Sequence, residues 1–533
     1  MDKRDNIYKA TTPKEVKKVL KSRFDKDGFL SLSNLPNPSL FKDMDKSTAR
    51  IVEAIRKKEK IILIGDYDVD GVVSTTLMKL FFNEIGAKLD WLIPNRFKDG
   101  YGLSTTIIPR IIDYDLAITV DNGISAVDAS LLCKKYNIEL IITDHHLLSK
   151  EKPIAYAIID QKQEECNFPY SDVCGAQIAW YLIASLNRAL KSSIDIKSYL
   201  GLVSIAIIAD MMPLKHINRV MVNSGLKILS SSNTPAIKAF KEEFNKSSLN
   251  TEDIGFQIAP LLNSAGRMSD AKYAVDFLLS SNIFDAKVRL DRLIDFNSKR
   301  KATEQEITDE ALSLVNSKDK VIVISGENWH EGVVGIVSAR VGRVYKKPTI
   351  ILTKSENGDL KGSGRSFHVC NLFKITSKSK RLLNRFGGHH SAIGLSLPYE
   401  NLEEFKKELQ LNYIAENYSQ ENIDPDILGE LDFTHIDFNI INIMKVYEPY
   451  GQENSKPKFI TTNVTIEDVN SMGKEKEHKR FIFSHKGVFH KGVLFKTKEK
   501  FNIGQRVDII YTINENHFNN RVTIQLMVEE IKA

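Results

Sequence analysis

The chain has 533 residues, of which 42% are hydrophobic, 27% charged and 9% aromatic, the ordinary balance of a protein that can bury several cores. Lys and Arg total 74 against 68 Asp and Glu, a net charge of only +6, so overall charge does not announce a nucleic-acid partner. The richest apolar stretch, 200–214, is broken by Ser204 and Asp210, which excludes a membrane-spanning helix and, with it, a membrane protein. Met1, Asp2, Lys3, Arg4 and Asp5 carry charge with no apolar core behind it, so no secretory signal is expected and a cytoplasmic location is. Cys133, Cys166, Cys174 and Cys370 form no CxxC pair and read as reduced, structural thiols.

At roughly 150 residues per domain the length predicts three or four domains. Residues 1–45 are charged and helix-like and end in a loop with Pro36 and Pro38; they read as a peripheral segment. From 46 to 282, short apolar runs at 61–64, 89–93, 116–120, 140–143 and 155–159 alternate with helical patterns, the signature of a parallel sheet covered by helices. Helical spacing recurs at Val72, Val73, Thr76, Leu77, Leu80 and Phe81, and at Val127, Leu131 and Leu132. Residues 283–318 hold a long polar connector helix, predicted over 285–315. A second α/β unit follows at 319–415, with strands at 321–325 and 349–352 around a helix at 333–345. Residues 416–450 form an acidic bridge. Five β-rich runs, 459–469, 480–484, 487–495, 506–513 and 522–531, predict a small barrel of OB type over 451–533. That unit has 14 Lys and Arg against 10 Asp and Glu, a surplus of four, which points toward nucleic acid.

The informative residues lie directly after the strands of the first domain. Gly65-Asp66-Tyr67-Asp68-Val69-Asp70-Gly71 follows the first, Asp121-Asn122-Gly123 the third and Asp144-His145-His146 the fourth. In an open parallel sheet the carboxyl ends of the strands share one edge, where ligands bind, so three acidic clusters converge there. Two carboxylates 4 Å apart repel by about 4 kcal/mol at an effective dielectric near 20, and bound cations are the simplest remedy. Aspartates with imidazoles and no thiolate fit Mn²⁺ or Mg²⁺. The acids exceed what one ion needs, so a two-metal centre is expected, whose usual chemistry is in-line hydrolysis of a phosphate ester. The first loop also opens like an EF-hand, but its twelfth position is Leu77 and a strand precedes it, which argues against calcium.

These motifs resemble the DHH phosphoesterase superfamily and, within it, RecJ-type single-stranded-DNA exonucleases. The likeness extends through Ile208-Ala209-Asp210-Met211-Met212-Pro213-Leu214, Asn263-Ser264-Ala265-Gly266-Arg267-Met268, Trp329-His330-Glu331-Gly332, Gly362-Ser363-Gly364-Arg365-Ser366 and Gly387-Gly388-His389-His390. It implies an α/β fold: a DHH domain and a DHH-associated, substrate-binding domain joined by the long helix, plus the OB-like barrel. By this resemblance Asp66, Asp68 and Asp121 would hold one divalent cation, and Asp70, Asp121, His145 and Asp210 the other, with Asp121 bridging. His146 would face the scissile phosphate, with Asp144 behind the imidazoles as an orienting group. Arg96, Arg267, Arg365 and His389, the last on a glycine-rich loop, are the expected phosphate clamps, since guanidinium matches phosphate oxygens in pairs.

The implied activity is 5′-to-3′ hydrolysis of single-stranded DNA to mononucleotides in repair and recombination, with a single-strand-binding protein or a helicase as protein partners. The loop Arg96-Phe97-Lys98-Asp99-Gly100-Tyr101 mixes cation and aromatic as a strand-tracking groove does, and Phe459, Phe481, Phe489 and Phe495 are candidates for stacking on bases. One departure from the family pattern is Ile393, where a small residue is usual; its bulk is expected to loosen the closing of the 387–394 loop. Two alternatives remain at this point: a DHH enzyme acting on oligonucleotides or cyclic dinucleotides, and a non-catalytic single-strand-binding scaffold.

Overall fold

Alternation of side chains decides how the first domain is layered. Leu63, Ile118, Ile141 and Ile159 point into one core and Ile62, Ala117, Leu140, Ile142 and Ile158 into another, as the period of two along a strand requires. Helices Val69–Glu84 and Gly175–Ala189 cover the first face, and helix Val127–Lys135 covers the second. In this computed structural model, which describes residues 9–24, 30–148, 151–355, 357–367, 369–418, 426–473, 476–497, 499–518 and 521–532, the sheet is all parallel. Its order is Asp90–Leu92, Ile61–Ile64, Leu116–Val120, Glu139–Thr143, Ala157–Ile159. The N-terminal charges at 1–5 and part of the acidic bridge, 419–425, lie outside the described residues.

This order reverses direction between Ile61–Ile64 and Leu116–Val120. The first crossover runs outward to Asp90–Leu92 and the next returns to the far side, opening a crevice at the carboxyl ends of those two strands. Asp66 and Asp121 hang from its two lips.

The connector helix, Ile283–Ser313, is fastened at both ends. Leu290 and Leu293 belong to the first domain's core, Ile307 and Ala311 to that of the second. Glu304 accepts from Arg300 at 2.5 Å and faces Arg340 at 3.0 Å, and Trp329 donates to Glu310 at 2.8 Å.

The second domain has a mixed sheet ordered Arg385–His389, Ala392–Leu397, Leu360–Arg365, Thr349–Lys354, Ile322–Gly326. Three of these strands, at 360–365, 385–389 and 392–397, are absent from the sequence reading, because glycine has low strand propensity and reads as loop. Here glycine serves close packing: a Cβ on Gly362 would lie 2.0 Å from the Ile351 carbonyl oxygen. His389 therefore ends a strand instead of sitting in a loop. Ile393 does not loosen that region either; it is buried, and its side chain fills the space over Gly364, where a Cβ would meet Ile393 Cγ1 at 2.8 Å.

The five expected barrel strands form as Lys458–Met472, His478–His485, Val488–Leu494, Arg506–Phe518 and Arg521–Lys532. The barrel closes because the first strand pairs with both the second and the fourth. Phe459 and Phe481 are fully buried, which removes them as stacking candidates, whereas Phe489 and Phe495 are 60% and 52% exposed. No helix among the described residues is long and apolar enough to cross a membrane.

The N-terminal segment differs from the sequence reading. Strand Ala10–Thr11 pairs with Ile427–Leu431, ahead of the barrel, and Val16, Leu20 and Phe24 enter the barrel's core. Arg23 donates to Asn454 and to the Ser455 carbonyl at 3.0 and 2.6 Å. Farther on, Phe41 stacks on Phe168 of the first domain at 3.8 Å. The amphipathic pattern of helix Pro13–Ser22 declared an apolar face but not its partner, which lies at the opposite end of the chain. Leu20→Ala, at a fully buried position, should destabilise the barrel by about 3 kcal/mol; faster amide exchange in strand Lys458–Met472 checks this, and unchanged exchange would mean the helix is not part of that unit.

Candidate active site

Local geometry fixes each acid of the crevice differently. Asp68 caps helix Val69–Glu84, accepting from the amides of Asp70 and Gly71 at 3.0 and 3.2 Å. Asp70, in the first turn of that helix, accepts from the Gly175 and Ala176 amides at 2.6 and 2.8 Å. Those amides open helix Gly175–Ala189, whose dipole favours an anion there. Asp121 leaves its strand at φ +63°, a left-handed conformation that aspartate tolerates better than most residues. Asn122 donates to the carbonyls of Ile64 and Val120 at 3.0 and 2.8 Å, tying the two lips of the crevice together. Asp210, which strand logic could not place, caps the C-terminal end of helix Leu200–Ala209.

The structure brings the sequence-selected groups into three overlapping sets whose donor atoms lie within 4.8 Å of one another: Asp66, Asp68 and Asp121; Asp70, His145 and Asp210; and Asp121, His145 and His146. His145 Nε2 is the hub, 3.2 Å from Asp121 Oδ1 and 3.7 Å from both Asp70 Oδ2 and Asp210 Oδ2. Burial, followed by repulsion from Asp68, holds the Asp66 carboxyl well above its ordinary range; burial, followed by Asp70, does the same for Asp121. Asp210 is pushed up to about 8 by burial and then by Asp70 and Asp68, while burial lowers His145 to about 4, leaving a neutral imidazole. Asp66 Oδ1, Asp121 Oδ1 and Asp210 Oδ2 are buried without a hydrogen-bond partner. Acceptor oxygens with no donor, those of Asp121 and Asp210 within 4 Å of a neutral imidazole nitrogen, suit hard divalent cations.

Asp144 is the exception among the acids. Its Oδ2 accepts from the Ile124 amide at 2.9 Å, and Oδ1 from the His145 amide and His146 Nδ1, both at 2.7 Å. Burial opposes its ionisation, but the His146 bond and these amides outweigh that and hold it below its ordinary value. For His146, burial is outweighed by Asp144 and the field of Asp68 and Asp210, which raises it to about 9. Its ring is half-exposed and lies 3.5 Å from the Tyr101 hydroxyl.

The expected cations gather opposite. Arg267 donates to the Gly332 carbonyl at 3.0 Å, joining the two α/β domains; burial, then Arg96 and Arg365, lowers it to about 10. Arg365 is lowered by burial and by Arg96, and His389 by burial and by Arg365. Arg96 lies over the Tyr67 ring at 5.1 Å. Three guanidinium groups that repel one another, with no carboxylate partner among the described ion pairs, suit an anion. Asn122 and His330 are site residues that the sequence showed only within motifs, Asp-Asn-Gly and Trp-His-Glu-Gly, and Tyr101 only as an aromatic of the 96–101 loop.

A parallel sheet with paired acidic pockets at its switch point, beside arginines drawn from both α/β domains, has the layout of a phosphoesterase of DHH type. Family models agree: DHH family, N-terminal domain, over 60–207, DHHA1 domain over 318–413 and RecJ OB domain over 427–530. The single-stranded-DNA-specific exonuclease RecJ of Escherichia coli (strain K12) is 32% identical over 450 residues, 78% of this chain and 77% of that protein. The chain therefore belongs to the RecJ family of single-stranded-DNA-specific exonucleases. The Bacillus subtilis (strain 168) relative is 34% identical across 93% of this chain, which spans 64% of that protein's length. In fold, the chain matches the crystal structure of RecJ in complex with Mn²⁺ from Thermus thermophilus with a TM-score of 0.80, at 23% identity over 92% of this chain and 72% of that one.

A Cβ on Gly175 would lie 2.5 Å from Asp121 Cβ and 2.6 Å from its Oδ1. Gly175→Ala should weaken Mn²⁺ binding at least about ten-fold, the scale of disturbed support around metal ligands, with the circular dichroism spectrum unchanged. Calorimetric titration with Mn²⁺ measures this, and equal affinity would show that the cradle has slack.

Proposed function

We propose that this chain hydrolyses phosphodiester bonds of single-stranded DNA from the 5′ end, releasing mononucleotides, with two Mn²⁺ or Mg²⁺ ions. The observation that carries the reading is the set of three unpartnered carboxylate oxygens, of Asp66, Asp121 and Asp210, in the overlapping acidic sets that share Asp121 and His145, together with three mutually repelling arginines. Asp66, Asp68 and Asp121 would hold one ion and Asp70, Asp121, His145 and Asp210 the other. When bound, the pair supplies charge compensation for the phosphate and a water activated for in-line attack.

The chain's own groups do the rest. Asp144 fixes the His146 ring through Nδ1, leaving Nε2 to donate toward a phosphate oxygen in the crevice. Arg96, Arg267, Arg365 and His389 bind the terminal phosphate, which orients the strand with its 5′ end inward. A cavity of about 990 Å³, lined in part by Met211, Phe256, Arg267, Arg300, Tyr450 and Asn514, gives the strand a route from the centre to the barrel. There Arg480 and Lys491 lie exposed on the same outer face as Phe489, a mix of cations and aromatic that tracks single strands. Repair and recombination are the processes such an activity serves, and a single-strand-binding protein or a helicase is the fitting protein partner.

Asp121→Asn should reduce cleavage of a 5′-labelled single strand about a thousand-fold, some 4 kcal/mol of transition-state stabilisation, while leaving strand affinity within a few-fold. Cleavage at the unaltered rate would sink the two-ion reading. For the barrel, R480E combined with K491E should flatten the slope of log K against log salt by about 1.4, or 0.7 for each lost phosphate contact; an unchanged slope in filter-binding titrations would remove that face from the path.

A further inference from the structure

Phe97 is an apolar side chain left 41% exposed at the seam between the two α/β domains, where its ring meets that of His330. Its loop is rigidly built. Asn95 Oδ1 accepts from the Phe97 and Lys98 amides at 3.1 and 3.3 Å, and its Nδ2 donates to the Ser269 carbonyl at 2.9 Å. Asp99 accepts from the Asn95 amide at 2.8 Å and pairs with Arg110 at 3.0 Å. Across the seam between the domains, the His330 ring meets Phe97 at 5.4 Å between centroids and 82° between planes. That edge-on contact leaves Phe97 ring surface free. His330 Nδ1 accepts from the Gly332 amide at 3.1 Å, so in the neutral ring the proton sits on Nε2. Arg96, next in sequence to Phe97, is in the electrostatic reach of Arg267, Arg365 and His330.

We infer that Phe97 and His330 together form a base subsite for the terminal nucleotide, the one whose phosphate the arginines bind. Phe97 supplies a stacking face that any base can use. His330 sets the tilt of that ring and presents its Nε2–H at the rim. One wall comes from each domain, so the subsite exists only while the domains hold their present spacing. Phe97 and His330 are positioning residues for the reaction, acting on the substrate end away from the bond that breaks.

The inference rests on reading the arginines as the phosphate clamp, and the test separates the two. Steady-state cleavage by the full-length enzyme with Mn²⁺ is measured on 5′-phosphorylated strands whose terminal residue carries a base or is an abasic tetrahydrofuran analogue, and on 5′-hydroxyl strands. The wild type should show a KM about ten-fold lower for the base-bearing end, the scale of one base–aromatic stack. Phe97→Leu should erase that difference while keeping the preference for a 5′-phosphate, and Phe97→Trp should retain both. Base discrimination that is absent from the wild type, or that survives in Phe97→Leu, overturns the subsite. Loss of the phosphate preference in Arg365→Ala is expected of the clamp; its persistence there overturns the arginine reading and not the stacking one.

Discussion

Buried negative charge is the constraint on which the molecule depends. Six acids of the first domain reach one crevice, and the chain treats them in two ways. Asp68, Asp70 and Asp144 are each held by backbone amides, from a helix cap, a helix N-terminus and the Asp144-His145-His146 turn. Asp66, Asp121 and Asp210 each keep a buried oxygen without any donor. Amides fix position at the cost of acceptor capacity; a bare oxygen keeps its capacity for a cation. The two classes together make a pocket whose shape is set by the backbone and whose charge is set aside for metal, a division that follows from the large penalty for an unpaired buried anion.

The same logic in reverse governs the cationic wall. Arg96, Arg267 and Arg365 come from a loop, a helix end and a strand end on two domains, and none has a carboxylate partner among the described ion pairs. Anionic and cationic regions face one another, so a net charge of +6 conceals two strong local fields of opposite sign. Composition averages over the distance at which these fields act, which at ordinary ionic strength is about 8–10 Å. This is why motifs, and not totals, carried the functional information.

Much of the architecture was legible because it depends on local pattern. The five strands of the first sheet and the five of the barrel are runs of apolar and β-branched residues, and strand-end acids can be found without knowing the sheet order. What was illegible depends on distant partners. The strands at Leu360–Arg365 and Arg385–His389 are hidden by glycines that serve packing across strands. The N-terminal helix shows its apolar face but not that the barrel covers it. Asn122 looks like turn punctuation, and only the sheet order reveals that its amide bridges two strands far apart in the chain. Ile393 is out of pattern in sequence and in register in space, filling what Gly364 leaves open.

The connector helix turns these parts into a measuring device. Its first half is packed into the domain that holds the acids, its second half into the domain that contributes Arg365 and His389, and Arg300, Glu304 and Arg340 lock the join. Arg267 adds a direct bond to Gly332 across the seam. The distance from Arg365 and His389 to the acidic pocket is therefore fixed by helix geometry and not by loop flexibility. On the proposed reading, a phosphate seated against the arginines leaves the next phosphodiester at a set distance along the strand, and only the bond at that distance meets the metal pocket. On that reading the helix holds the far half of the clamp in step with the near half: a chain that hinged freely between Leu293 and Ile307 would part Arg365 and His389 from Arg96 and Arg267, whereas one bolted at both ends keeps all four on one phosphate.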